Sequence, residues 1–356
     1  MHSASPSRNA HGSVELLASP VARDLWREIA DHDPEVVASQ LPEWCDALPP
    51  HWVDVSRAYR ASDGRRVVVP MVRRAGSTRI PVDGSYPHGL GYGGAVAEGG
   101  VTQELLTAVL ADIAAERRMY LSLWPNPVQA DRWETAIPSS WLRIPRCAHV
   151  LDVSGGVDAV WARMPGNGRR GVRRAERAGV EVETDDAGRL LPVFFDLFDS
   201  SQRRWAAASH EPLWLARWRA RHDTVDTWQR ISRAVAGRCS VSVARVNGTP
   251  VASIIVLHGP NAHYTHGAMR KDEAGPTYAN YALHWKAIVD AVGRGAGAYH
   301  MGESGSSATL ARFKEQFGAT ARHYAEYRYE RLPLTRLDTA VRSTVKRAVG
   351  FRDAGT

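Results

Sequence analysis

The chain of 356 residues carries 45 Lys and Arg against 38 Asp and Glu, a formal net charge of +7, and is 44% hydrophobic. That length and composition accommodate two ordinary domains and exclude a disordered or collagenous chain. A disulfide-stapled chain is excluded too, because Cys45, Cys147 and Cys239 are scattered and form no CxxC pair. The basicity is local, since residues 163–177 and 331–352 each hold six basic residues against one acid, and the remainder is net acidic. Those two stretches are the candidates for meeting phosphate.

Taken in chain order, residues 1–13 lack the apolar run of a signal peptide and read as a disordered start. No later stretch is apolar for long enough to span a membrane, so a cytoplasmic, reducing location is expected. Periodicity predicts helices over 21–29 and 34–47, a strand over 52–59, a turn at Ser62-Asp63-Gly64 and a returning strand over 67–72. The glycine-rich stretch 84–94 reads as a loop, ahead of a helix over 101–117 and a strand over 119–124. An arginine-rich helix around 169–177 and helices over 190–205, 213–221 and 225–235 follow. The earlier order then returns: strands over 241–246 and 251–257 joined at Asn247-Gly248, a strand over 263–268, a helix over 279–292 and a strand over 298–301. Two copies of one α/β module are therefore expected, each a mixed twisted sheet flanked by helices. Their bounds are set at 14–150 and 151–330, with a basic helix or tail over 331–356.

Two clusters carry candidate chemistry. In the first, a strand ends in Gly302-Glu303-Ser304-Gly305-Ser306-Ser307 and runs into a helix bearing Phe313, Lys314 and Phe317. Backbone amides near Ser304 to Ser307 and a positive helix terminus would suit a phosphate or a developing oxyanion. The Lys314 ammonium is read as free for a ligand, because Leu310, Phe313 and Phe317 account for the packing of that helix. Glu303 reads either as the group that takes an amine proton or as a helix cap. In the second cluster, Arg169, Arg173 and Arg177 share one helical face and Arg170 and Arg174 the neighbouring one. Guanidinium forks there would match phosphate, the alternative being a solvated face, and the two glycines imply a helix that orders on binding. His263 and His266 fall on opposite faces of their strand, and the glycines of 89–94 lack the dinucleotide spacing, so neither a metal nor a nicotinamide cofactor is expected.

Four segments resemble the FemABX family of non-ribosomal peptidyltransferases, a FemAB-like group within the GNAT acyltransferases. They are Ser56-Arg57-Ala58-Tyr59 with Asp63-Gly64 and Val69-Pro70; the loop from Tyr86 to Gly94; Arg169-Arg170 through Arg173-Arg174-Ala175 to Gly179-Val180; and the run of Tyr264, Gly267-Ala268, Asn280 to Lys286, Gly302 to Gly305 and Phe313-Lys314 to Phe317-Gly318. The resemblance covers about 41–329. It implies tandem GNAT-like domains, with the basic segment 331–356 packing back on the first, and transfer of an amino acid from aminoacyl-tRNA to an amine, on a peptidoglycan precursor or a small natural product. It further implies that Phe313 and Lys314 handle the aminoacyl end, that Tyr86 and Tyr92 border the acceptor pocket, and that Arg203 or Arg204 contacts the acceptor. No stable DNA binding is expected. The acyl-CoA pyrophosphate loop of GNAT enzymes is missing between Ala268 and Ala282, where Glu273 replaces its first glycine. The rival expectations are an acyl-CoA-dependent GNAT N-acyltransferase of polysaccharide or secondary metabolism, and a non-catalytic tRNA- or polysaccharide-binding module.

Overall fold

Proline and turn chemistry break the first half into short pieces. The computed structural model describes residues 13–49, 51–76, 81–85, 91–116, 118–305, 307–332 and 335. The expected disordered start up to residue 12, the basic segment beyond 332 apart from Thr335, and Tyr86 lie outside the described residues. Strand β1 (Val14–Ala18) and helix α1 (Arg23–Asp31) come first. The helix expected over 34–47 is replaced by two 3₁₀ turns, Ala38–Gln40 and Pro42–Ala47, because Leu41 before Pro42 is held extended at φ −87°, ψ 151°. The single strand expected over 52–59 is two, β2 (Trp52–Asp54) and β3 (Arg57–Ala61). They part where Ser56 N donates to Asp54 Oδ1 (2.8 Å). The returning strand likewise divides at Pro70 into β4 (Arg66–Val69) and β5 (Val72–Arg74). Then follow β6 (Val82–Gly84), β7 (Val96–Ala97), α2 (Gln103–Ala115), capped by Thr102, β8 (Tyr120–Leu123), α3 (Ala130–Ala136) and β9 (Leu142–Asp152).

The remaining elements are longer. They are α4 (Gly156–Arg163), α5 (Gly166–Arg177), β10 (Glu181–Asp185), α6 (Leu191–Ala208), α7 (Leu213–Arg219) and α8 (Val225–Ala234). After these come β11 (Cys239–Val246), β12 (Thr249–His258), β13 (Ala262–Met269), α9 (Lys271–Thr277), α10 (Ala279–Gly293), β14 (Ala298–Glu303), α11 (Ala308–Glu315) and β15 (Thr320–Glu330).

The fold is mixed α/β. An 11-stranded sheet runs β10-β11-β12-β13-β14-β9-β15-β8-β6-β5-β2, and a 4-stranded sheet runs β1-β3-β4-β7. The boundary expected between 150 and 151 falls inside β9, a continuous strand paired with β14 on one side and β15 on the other. β15 in turn lies against β8, so the last described strand completes the first half. The repeated order is visible as β3-β4-β7-α2-β8 and β11-β12-β13-α10-β14. In the second copy the last two strands stay joined by a short parallel pairing, Ala262↔Tyr299 and His263↔His300. In the first copy they lie in different sheets, with an isolated bridge Gly93↔Pro125 beside them.

Two apolar layers cover the second half. Phe194, Leu197, Trp228 and Ile231 of α6 and α8 pack on one face with Val241, Val243 and Ile255. Val172, Leu283, Ile288 and Phe317 pack on the other with Ile254, Tyr299 and Met301. Two glycines of α5 seat the helix closely against this second layer. A Cβ on Gly168 would sit 1.9 Å from the Gln316 carbonyl oxygen, and one on Gly171 2.3 Å from the Tyr281 ring. Gly168→Ala is therefore expected to cost about 1–3 kcal/mol in denaturant unfolding, since the obstacle is backbone. Gly275→Ala, with no atom within 4 Å of the new Cβ, should be neutral or mildly stabilising.

Candidate active site

Beyond His263 and His300 the strands β13 and β14 separate, and each runs on unpaired by the other to Met269 and Glu303. A cleft of about 660 Å³ opens there, walled by Phe198, Arg204 and Trp205 of α6, Asn280 and His284 of α10, and Leu310, Phe313 and Lys314 of α11. A second cavity of about 260 Å³ is lined by Gly91, Tyr92, Trp124, Gly302 and Glu303, and shares Tyr264 and Thr265 with the cleft. Gly302 is needed at the rim, because its φ of +71° is left-handed and a Cβ would lie 3.1 Å from the Tyr264 carbonyl oxygen.

Separation leaves backbone carbonyls of β14 without a strand partner, and Lys314 supplies one. Its Nζ donates to the carbonyls of Gly302 (2.8 Å) and Glu303 (2.6 Å), and the residue is 1% exposed. The expectation of a wholly free ammonium is corrected accordingly: with the side chain and two carbonyls around a tetrahedral nitrogen, one vertex remains. Burial pushes Lys314 down to about 7, against an upward pull from Glu303. Near neutral pH the remaining vertex is either an N–H donor or a lone pair.

Glu303 is held from the other side. Its Oε1 accepts from the Tyr324 hydroxyl and its Oε2 faces Arg146 Nη1 at 3.4 Å. Tyr324 also accepts from Trp124 Nε1 (2.8 Å), and Arg146 lies over the Trp124 ring at 4.4 Å. Arg146 Nη2 donates to Glu326 Oε2 (2.8 Å), and burial of Glu326 is outweighed by hydrogen bonds from Arg328, Arg146 and Ser122, which hold its carboxyl low. The helix cap is Ser307, whose Oγ accepts from Leu310 N (3.3 Å), so the capping role is not Glu303's. Burial drives Tyr324 and Tyr92 well above the usual phenol range, keeping both neutral donors.

Other expected residues are distributed as follows. Ser304 lines neither cavity: its amide donates to the Cys147 carbonyl (3.0 Å) and its Oγ meets His149 Nδ1 (3.0 Å). The Ser307 amide is taken by the Ser304 carbonyl (3.0 Å), so the Ser304 and Ser307 amides are both bonded within the protein, and Ser306 between them lies outside the described residues. Phe313 lines the cleft and packs edge-on against Tyr281 and His284. Tyr92 stacks on His263 in the second cavity. Arg204 lines the cleft, whereas Arg203 points outward to Asp199 (2.7 Å).

Arg170, Arg173, Arg174 and Arg177 of α5 are exposed, and Arg169 is half-buried with its Nη1 on the Trp161 and Ala162 carbonyls. Among the described residues none of the five has a carboxylate partner. Arg173 lies over Trp161, and Arg174 over the ring of Tyr278, which sits at the start of α10 with φ +58°. Tyr324, Arg146 and Trp124 escaped the sequence reading. Tyr324, Glu326 and Arg328 alternate along β15, a period-2 signal that puts them on one face. Their partner across the sheet, Arg146, lies far away in the chain and carries no local signal.

Residues 163–331 match the family model of the GNAT acetyltransferase domain. No curated protein sequence matches the chain. Its fold is that of FemX: a crystal structure of FemX superposes with a TM-score of 0.58 at 12% identity, over 91% of this chain and 99% of that one. Similarity extends to a tandem GNAT protein from the clavulanic acid biosynthesis pathway (TM-score 0.47, 12% identity, 90% of this chain and 98% of that one). It extends also to a conserved protein of unknown function from Bacteroides thetaiotaomicron (0.49, 9%, 87% and 99%).

The depressed Lys314 has a measurable consequence. The unfolded chain keeps this proton up to about 10.5 and the folded chain only up to about 7, so the unfolded state binds more protons in between. The stability that Lys314 contributes rises with pH across that window and is lost as pH falls through about 7. Denaturant titrations at pH 7 and pH 9 should show the unfolding free energy of the parent gaining on that of Lys314→Met as pH increases.

Proposed function

We propose that this chain, a FemX-like fold with a GNAT acetyltransferase domain over 163–331, is an aminoacyltransferase that moves an amino acid from aminoacyl-tRNA to an amine. The observation that carries the reading is Lys314, which lines the cleft with two of its three nitrogen positions bonded to carbonyls and is joined through Gly302-Glu303 to a second cavity that holds a carboxylate. An ester carbonyl in the cleft and an amine beside Glu303 would meet at that junction. Glu303 takes a proton from the incoming ammonium, the freed nitrogen attacks the carbonyl, and the Lys314 N–H donates to the oxyanion. The C–O bond to the ribose then breaks. Its oxygen leaves as a hydroxyl with the second nitrogen proton, and one proton is released overall.

Two features favour a tRNA end over a coenzyme A pyrophosphate. The link from β13 to α10 folds as α9, in which the amides of Glu273 and Ala274 bond to the Arg270 carbonyl and that of Tyr278 to Gly275, so these three are not available to a diphosphate. Beside it, the arginines of α5, none with a carboxylate partner among the described residues, form a face suited to a polyanionic backbone. The acceptor is read as a peptidoglycan-precursor or small natural-product amine, consistent with the modest second cavity.

The deciding experiment incubates the protein with charged tRNA or acyl-CoA plus candidate amines and reads the products by mass spectrometry. Amide formation from charged tRNA is expected; amide formation from acyl-CoA alone would overturn the donor. Lys314→Met should lower turnover by about a hundredfold to a thousandfold per folded molecule. If turnover stays within about twofold while stability falls, Lys314 serves the fold and not the reaction. Arg170→Ala combined with Arg174→Ala should weaken tRNA binding and lower the slope of log K against log salt by about 2. An unchanged slope would leave α5 a solvated face.

A further inference from the structure

The cleft is unusual in what its polar residues are already doing. Arg204 Nη1 donates to the Met269 carbonyl (2.7 Å), and Ser201 Oγ both accepts from Met269 N (2.9 Å) and donates to Met269 O (3.1 Å). Asn280 Nδ2 reaches Met269 Sδ (3.1 Å), and Thr265 Oγ1 donates to the Ile255 carbonyl (3.2 Å). His284 Nδ1 lies 3.2 Å from the Tyr299 hydroxyl, and burial brings that ring to about 3, so it is neutral. His266 pairs with Asp223 at 3.5 Å. Tyr264, Ser307, Thr309 and Lys314 also line the cleft, but the larger part of its walls is the surfaces of Phe198, Trp205, Ile254, Met269, Leu310 and Phe313.

From this lining we infer that the acyl group accepted by the cleft carries a large apolar side chain, of leucine, methionine or phenylalanine size, and not a glycyl, seryl or acidic one. The inference rests on the acyltransferase reading of the cleft but not on the identity of the donor. A charged or hydroxylated side chain entering here would lose water against walls that are mostly apolar, most of whose polar groups are already bonded within the protein. A glycyl group would leave the aromatic walls facing empty space, forfeiting their contacts. An apolar side chain loses nothing by desolvation and fills a cavity within the usual size range of small-molecule sites. Arg204 and Ser201 position the wall: they fix the end of β13 against α6, which keeps Met269 at the lining.

Binding measurements separate this inference from the donor assignment. Isothermal titration would compare 3′-deoxy-3′-(phenylalanylamino)adenosine and its leucyl, glycyl and aspartyl counterparts, hydrolysis-resistant mimics of a charged tRNA end. Octanoyl-CoA would be compared with acetyl-CoA in parallel. The phenylalanyl and leucyl compounds should bind about tenfold to a hundredfold more tightly than the glycyl and aspartyl ones. Leu310→Asp, at a wall position that is 38% exposed and so tolerant of the change, should erase most of that preference. If octanoyl-CoA outbinds acetyl-CoA by a similar factor while the adenosine series does not bind, the apolar-acyl inference holds and the tRNA donor falls. Equal or tighter binding of the glycyl or aspartyl compound would overturn the inference, as would a failure of both series to bind.

Discussion

The antiparallel pairing of β9 with β15, from Val150↔Thr320 to Leu142↔Arg328, is the contact on which the arrangement turns. It welds the two halves into one sheet and brings Arg146 of the first half against Tyr324 of the last strand. Without that register neither residue would stand beside Glu303. A slip of one residue would turn Tyr324, Glu326 and Arg328 to the other face of the sheet. Pro145 sits in this central strand without damage because β14 pairs only with the later part of β9, Ala148 to Asp152, leaving the edge beside Pro145 without a strand.

Opening a cleft in a sheet means leaving ladder partners unpaired, and unpaired buried carbonyls are costly. The chain resolves this with one side chain. Lys314 reaches back from α11 to the carbonyls of Gly302 and Glu303, so the residue that stabilises the opening also lines the cleft. The chemical role proposed for Lys314 would thus fall on the same nitrogen that serves the fold. Burial makes the ammonium expensive while two acceptors and the nearby carboxylate favour it, which is how a lysine comes to titrate near neutrality. The first half, where the corresponding strands have parted into separate sheets, has no such lysine bridge among its described residues.

Much of this was legible in the chain because it is locally encoded. The β11–β12 hairpin announces itself by Asn247-Gly248 between apolar runs, and both residues adopt positive φ. Helices α6, α8 and α10 follow their apolar period, and Lys314 and Phe313 both line the cleft. The failures share one cause. β9 and β15 are the two longest strands together, yet β9 carries Pro145 and β15 is dense in charge, and each is a strand because of the other across the fold. Arg203 and Arg204 are neighbours in sequence, and only the packing of α6 on β13 decides which one turns inward. Ser304 looked available because its turn is rich in glycine and serine; it is instead spent on Cys147 and His149, residues of β9 that no local pattern ties to it.

The same packing logic bears on the arginine face. Gly168 and Gly171 let α5 approach Gln316 and Tyr281 more closely than any side chain would permit, so the helix has one inner face and its arginines have nowhere to go but outward. Their lack of acidic partners is therefore a consequence of how α5 is seated and not of looseness. Tyr281 continues the contact by bonding Gln316 just beyond α11 and packing against Phe313, the residue before Lys314. Close-packed contacts of this kind transmit displacement poorly as slack and well as rigid-body shift. An anion drawn onto α5 would thus rest against a helix already locked to the element that carries the cleft's lysine, which makes the arginine face part of the same construction as the site and not an ornament beside it.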